Sequence, residues 1–363
     1  MLTAAPAPAL ADDIRDQQWH LDYLRVSELH KITQGEGVTV AVIDSGVDAS
    51  HPDLAGNVLP GTEIPDKGGD GRTDTYGHGT GMASLVAGHG HGQGNRDGVL
   101  GIAPKAKILP VRVPVGTGEV TPPDETAKAI DWAVDKGAKV INLSYLDATS
   151  HHLTEAVESA LDQGVVIVNS AGNVSQGDKE ILGIGLVPGV VVVSGTDFRG
   201  NFSTNSVAGA EVCVAAPMEK VMAAGAGKFG TYDNGSGTSN SAALVSGAAA
   251  LVFSKYPDID GNNVINRLIS TADDRGPEGR DEEYGYGVID PLAALTSDVP
   301  EVDANPLIDP PSQPSVPPTG RANSKAPADE PGSSPGARAA FIAIALLVIA
   351  GGAYLLLRLA NRD

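Results

Sequence analysis

Cysteine is almost missing from this 363-residue chain, which has one, Cys213. No intrachain disulfide can form, so the fold must be held by its core alone. Cys213 lies in the strand-like run Glu211-Val-Cys-Val-Ala-Ala-Pro, with no frame for a catalytic thiol, and reads as a small buried hydrophobe. Positive charge is also scarce. The 25 Lys and Arg stand against 45 Asp and Glu, a formal net charge of −20, which argues against nucleic acid or an anionic lipid surface as partner of the folded domain. The imbalance reads as a solvated acidic surface. There is no internal repeat. The N-terminus lacks a basic segment and an apolar core, although Ala9-Leu10-Ala11 has the small-x-small form of a signal-peptidase site. Residues 1–14 therefore read as a leader or signal-peptide remnant whose precursor starts upstream, with a disordered Ala/Pro leader as the alternative.

Aromatic residues are nearly absent from Ser297 to Arg338, a stretch rich in Pro, Ser, Ala and Asp. Such a composition cannot bury a core, and 297–338 reads as an extended linker. Ala339 to Leu357 follows as AAFIAIALLVIAGGAYLLL, uncharged throughout. At about 1.5 Å per residue it matches a hydrocarbon core of about 30 Å, and it is expected to span a membrane once. Arg358 and Arg362 favour a cytoplasmic tail at 358–363, leaving the upstream domain outside the cell.

The domain itself is assigned to 15–296, ample for one α/β fold. Apolar runs and helical periodicities alternate. Strands are expected near Val38–Ile43, Lys107–Val113, Lys139–Ser144 and Val165–Asn169, and helices near Thr80–Gly88, Asp124–Asp135 and Leu153–Asp162. This order predicts a mostly parallel sheet with crossover helices.

Four local frames carry the chemistry. In VAVIDSGVD, Asp44 stands where a buried strand ends, the place where open parallel sheets present functional groups. In YGHGTGMASLVAG, His78 stands in the first turn of a small-residue helix. The helix dipole there is expected to lower its pKa and suit a neutral general base. In GTSNSAALVSG, Ser239 stands at a helix N-terminus, where partial positive charge favours an oxyanion. In GVVIVNSAGN, a strand ends in Asn173, whose amide could face that oxyanion. Each has a plainer reading alone: a turn-capping Asp, a turn His, an N-cap Ser. Together, in the order Asp, His, Ser, they point to peptide-bond hydrolysis by an activated serine. His51, His89 and His91 have no comparable frame and read as surface or loop residues. His20, His30, His151 and His152 stay unassigned.

On these frames the chain resembles the subtilisin-like (S8) serine proteases from about Gly35 to Leu295, including His51-Pro-Asp-Leu, Val140-Ile-Asn-Leu-Ser and Gly285-Tyr-Gly-Val-Ile-Asp-Pro. Within them it most resembles the mycosins, membrane-anchored proteases associated with type VII secretion in actinobacteria. That likeness rests on Arg15-Asp-Gln-Gln-Trp-His-Leu, the proline-rich tail and the C-terminal apolar segment. The resemblance implies the subtilisin-like three-layer α/β fold. It also implies roles: Asp44 orients the base, His78 is base and acid, Ser239 is the nucleophile, and Asn173 with the Ser239 N–H forms the oxyanion site. Substrate would lie as an extended strand between Ser144-Tyr145-Leu146 and Gly116-Thr117-Gly118.

The chain departs from the family at several points. Ala243 replaces a common proline, Gly81 stands where many relatives carry His, and Leu146 replaces a glycine beside the specificity pocket. The branched Leu146 is expected to narrow that pocket. Mycosins typically carry disulfides, which this chain cannot form. No metal ligand set and no required cofactor is predicted. Asp53 and the Asn95-Arg96-Asp97 loop nevertheless lie where some relatives bind calcium. The expected function is a membrane-anchored extracellular serine endopeptidase of restricted specificity, acting on protein or peptide and linked to a type VII secretion complex. The alternative is a structural component of such a complex with dispensable proteolysis. A nutritional protease is disfavoured, because a tether defeats diffusion to bulk substrate.

Overall fold

A computed structural model describes residues 13–115, 121–145, 148–226 and 232–308. Its centre is a seven-stranded parallel sheet. In chain order the strands are β1 (Thr39–Asp44), β2 (Thr62–Glu63), β3 (His89–His91), β4 (Asp97–Leu100), β5 (Lys107–Arg112), β6 (Val140–Leu143), β7 (Val166–Ser170), β8 (Val191–Thr196), β9 (Val212–Pro217), β10 (Val221–Ala224) and β11 (Tyr232–Gly235). The main sheet runs β2-β5-β1-β6-β7-β8-β9, and β3-β4 and β10-β11 are small antiparallel pairs. The helices are α1 (Trp19–Tyr23), α2 (Val26–Leu29), α3 (His78–Ala87), α4 (Pro123–Asp135), α5 (His151–Asp162), α6 (Thr238–Lys255), α7 (Gly261–Ser270) and α8 (Pro291–Thr296).

The expected strand and helix order appears as read, with ends displaced by one or two residues. Strands β6 to β9 are buried at every position, the pattern of a parallel sheet covered on both faces. Helices α3 and α6 pack together on it, and α4 and α5 form a second packed pair. Helix α6 is buried along almost its whole length, which only a small-residue helix can achieve. A Cβ added at Gly247 would come within 2.7 Å of Ile102. Local signals set the helix ends: the Ser150 hydroxyl accepts from Leu153 N–H, and the Asp260 carboxylate accepts from Asn263 N–H. Cys213 is buried in β9, and burial pushes its thiol up to about 11, consistent with an inert core residue.

The folded part does not stop at 296. Asn263 on α7 exchanges two hydrogen bonds with the backbone of Val302 (2.8 and 3.0 Å), and Asn266 donates to Pro300 O. Asn305 and Leu307 are buried. Composition placed this stretch in the linker. Side-chain amides on a distant helix satisfy its backbone instead, so 297–308 packs on the domain. The rest of the expected linker, the apolar segment 339–357 and the tail 358–363 lie outside the described residues. Among the described residues, no helix is long and apolar enough to cross a membrane.

Candidate active site

Strand order brings the site together. β1, β6 and β7 are neighbours, so their carboxyl ends present Asp44, Ser144 and Ala171-Gly172-Asn173 side by side. Helix α3 starts at His78 directly above β1, and α6 starts at Thr238. Asp44 is fully buried, and both its oxygens lie 2.9 Å from His78 Nδ1. Two glycines allow this approach. Gly46 takes φ +99°, with Thr73 O only 2.2 Å from where a Cβ would sit, and a Cβ at Gly79 would meet Gly46 O at 2.1 Å.

Sequence reasoning expects the helix dipole to lower the His78 pKa. In the structure the net shift is upward. Burial is the largest single effect and pulls downward. The charge and hydrogen bond of Asp44, joined by the charge of Asp74, outweigh it.

Asp74 is the carboxylate beside His78 that the sequence frames missed. It is buried. One oxygen accepts from Ser45 Oγ (3.1 Å), Tyr76 N (2.9 Å) and Gly77 N (2.8 Å), and the other accepts from Thr80 N (3.0 Å) and Thr80 Oγ1 (2.7 Å). Ser45 Oγ in turn accepts from Gly79 N. One carboxylate thus caps the start of α3 and ties it to the residue after Asp44. The available signal was a carboxylate four positions before His78 with turn residues between.

Ser239 is half-buried in the first turn of α6, where amide groups lack intrahelical acceptors. Its hydroxyl donates to Ser144 O at 3.0 Å, a resting orientation from which rotation about Cα–Cβ frees the oxygen. Asn173 is oriented by Thr238, whose N–H donates to Oδ1 at 2.9 Å. The NH₂ end is thereby aimed outward, where it touches Gln176 Oε1 at 3.4 Å. His78, Asn173 and Ser239 line one cleft of about 530 Å³. Ser144 touches the nucleophile through two hydrogen bonds, and the neighbouring Tyr145 hydroxyl is bonded to Thr126. Leu146 and Gly116, Thr117 and Gly118 lie outside the described residues.

Known proteins share this fold. The Subtilase family model matches residues 35–287. The chain belongs to the subtilase family. It is 34% identical to mycosin-1 of Mycobacterium tuberculosis over 357 residues, covering 83% of this chain and 78% of that protein. The crystal structure of MycP1 from the ESX-1 type VII secretion system superposes with TM-score 0.69 at 32% identity, covering 84% of this chain and 92% of that one. A chain from the periplasmic assembly of the ESX-5 inner membrane complex matches with TM-score 0.68 at 30% identity, covering 90% and 92%. This subtilase is a serine endopeptidase related to the mycosins.

The loop at 95–98, expected from the resemblance as a calcium candidate, faces a side chain of the protein itself. Arg15 Nε donates to Gly98 O (2.9 Å), and its Nη2 reaches Asn95 O (3.3 Å) and Asp97 O (3.4 Å). The fully buried Asp53 accepts from His91 Nδ1 (2.6 Å) and Val99 N (2.7 Å). The carbonyls already face a cation belonging to the chain, and the carboxylate is occupied by N–H donors. Among the described residues, no group of three or more His, Cys, Asp or Glu gathers as metal ligands.

His51 lies in the loop after β1, as read, but is not on the surface. It is buried, its Nδ1 accepts from Asp53 N, and its ring meets Tyr232 edge-on at 5.5 Å. His89 and His91 lie half-buried in β3. His20 is fully buried, which drives its pKa down to about 3 and keeps it neutral.

Proposed function

We propose that this subtilase is a membrane-anchored protease of restricted specificity that works outside the cell beside a type VII secretion complex. In this reading Ser239 Oγ attacks the peptide carbonyl while His78 takes its proton. The carbonyl oxygen, now negative, receives hydrogen bonds from Asn173 Nδ2 and the Ser239 N–H. Collapse breaks the C–N bond, and His78 returns the proton to the leaving amine. Water then repeats the sequence on the acyl-enzyme, releasing the acid and restoring Ser239. Asp44 holds the imidazole with Nδ1 protonated, so that Nε2 is the accepting nitrogen.

The observation that carries the chemical reading is the Asp44–His78 pair beside Ser239, with Asn173 turned toward the cleft by Thr238. The anchor rests on the uncharged run 339–357. The secretion link rests on the likeness to the mycosin-type proteins. A second role, as a structural member of such a complex, is supported by the match to a chain of the ESX-5 periplasmic assembly and can coexist with proteolysis. The test is labelling of the detergent-solubilised full chain with a fluorophosphonate probe. Wild type is expected to label and Ser239→Ala to stay unlabelled. A folded wild type that does not label removes the catalytic reading and leaves the structural one.

A further inference from the structure

The Asn173 carboxamide offers one acceptor oxygen and two N–H donors. Thr238 occupies the oxygen, through its N–H at 2.9 Å and its hydroxyl at 3.4 Å. Gln176 Oε1 takes one of the two N–H groups, at 3.4 Å. The other N–H is left for whatever enters the cleft, which Gln176 lines together with Asn173 and Ser239.

The backbone that carries Gln176 is tied down residue by residue. Val174 N–H donates to Asn205 O (2.8 Å), Ser175 N–H to Asn205 Oδ1 (2.7 Å) and Gln176 N–H to Asn173 O (2.9 Å). Asp178 closes the loop on Asn173 in both directions. Its carboxylate accepts from Asn173 N–H at 2.7 Å, and its own N–H donates to Asn173 O at 3.3 Å. Gln176 itself is exposed and adds nothing to the core. A long side chain loses freedom when it is held in one contact. A fixed backbone close to the partner keeps that loss small, so the return of Gln176 to Asn173 is built into the loop.

On the reading of the site as a protease, the oxyanion donor must point at the developing charge before that charge forms. A carboxamide held only at its oxygen can still swing about Cβ–Cγ and carry its N–H groups off line. The bond to Gln176 is a second anchor at the other end of the same planar group. We infer that Gln176 is a positioning residue for the oxyanion donor, fixing the plane of the Asn173 carboxamide from the cleft side and leaving one N–H for substrate. Water can accept the same hydrogen when Gln176 is absent, but an untethered acceptor does not fix the plane.

The experiment follows fluorophosphonate labelling of the detergent-solubilised full chain against probe concentration, separating the maximal labelling rate from the half-saturating concentration. Attack of Ser239 on phosphorus drives negative charge onto the phosphoryl oxygen, so the maximal rate reads the same donor. Gln176→Met keeps the length of the side chain and removes its acceptor. It is expected to lower the maximal rate about fivefold, the size of one ordinary neutral hydrogen bond, with the half-saturating concentration and the Tm unchanged. In an Asn173→Ala background, already slow, the same change should have no further effect, because Gln176 acts only through Asn173. A maximal rate in Gln176→Met within about twofold of wild type, an effect confined to half-saturation, or a loss that persists undiminished in Asn173→Ala overturns the inference while leaving the protease reading intact. A folded wild type that labels no faster than Ser239→Ala overturns the protease reading and the inference with it.

Discussion

Asp74→Asn is the most searching perturbation of this site, because it keeps shape while removing one acceptor and one charge. Asp74 accepts from five donors. In the variant one end of the group becomes an NH₂. The least costly orientation turns it toward Thr80, whose hydroxyl can rotate to accept, so Thr80 N–H loses its partner and three other donors face a neutral oxygen. Hydrogen bonds to a charged group are each worth about 1.5–3 kcal/mol. Losing one and weakening the rest is expected to cost about 2–4 kcal/mol, read from the denaturant midpoint at constant m-value.

The same change alters catalysis in a signed way. Asp74 helps to hold the His78 pKa above its ordinary value. Only neutral His78 can accept the Ser239 proton, so activity rises with pH through that raised value. Asn at 74 moves this acid limb to lower pH, and a loosened α3 start lowers kcat by about 10²-fold. The stability contribution has the opposite pH dependence. Because the folded pKa is the raised one, the pairing of protonated His78 with Asp44 and Asp74 is fully stabilising below about pH 6.5 and is lost as pH rises through the folded value. Asp74→Asn should narrow that difference. A variant with stability within 1 kcal/mol of wild type and an unmoved acid limb would refute the assignment of Asp74 as a positioning residue.

Two further outcomes follow from the geometry. Asn173→Ala should lower kcat by about 10²–10³-fold with little change in KM, because its donor acts on charge that exists only in the transition state; a drop confined to KM would count against it. Wild-type thermal stability should not respond to chelation by EDTA at constant ionic strength, whereas Arg15→Gln should lose about 1–2 kcal/mol and several degrees of Tm, because the carbonyls of Asn95, Asp97 and Gly98 lose their internal cation. A wild type that melts well below its usual temperature in EDTA would show that a bound metal, not Arg15 alone, holds the fold.

The sequence by itself determined the strand and helix order, because buried parallel strands and small-residue helices write their periods directly into residue type. It also singled out Asp44, His78, Asn173 and Ser239 as candidates, because each sits in a short frame whose glycines and small residues are demanded by local backbone geometry. The tertiary structure alone decided what those frames meet. The His78 pKa moves up because Asp44, brought from the end of β1, together with the nearby Asp74 outweighs its burial. His51 is buried with the Tyr232 ring of β11 edge-on against it, and 297–308 packs because amides on α7 bind its backbone. Arg15 fills the loop at 95–98 from about eighty residues away. Local pattern carries no information about such contacts, since the energy of each depends on which distant groups the sheet order brings within a few ångströms.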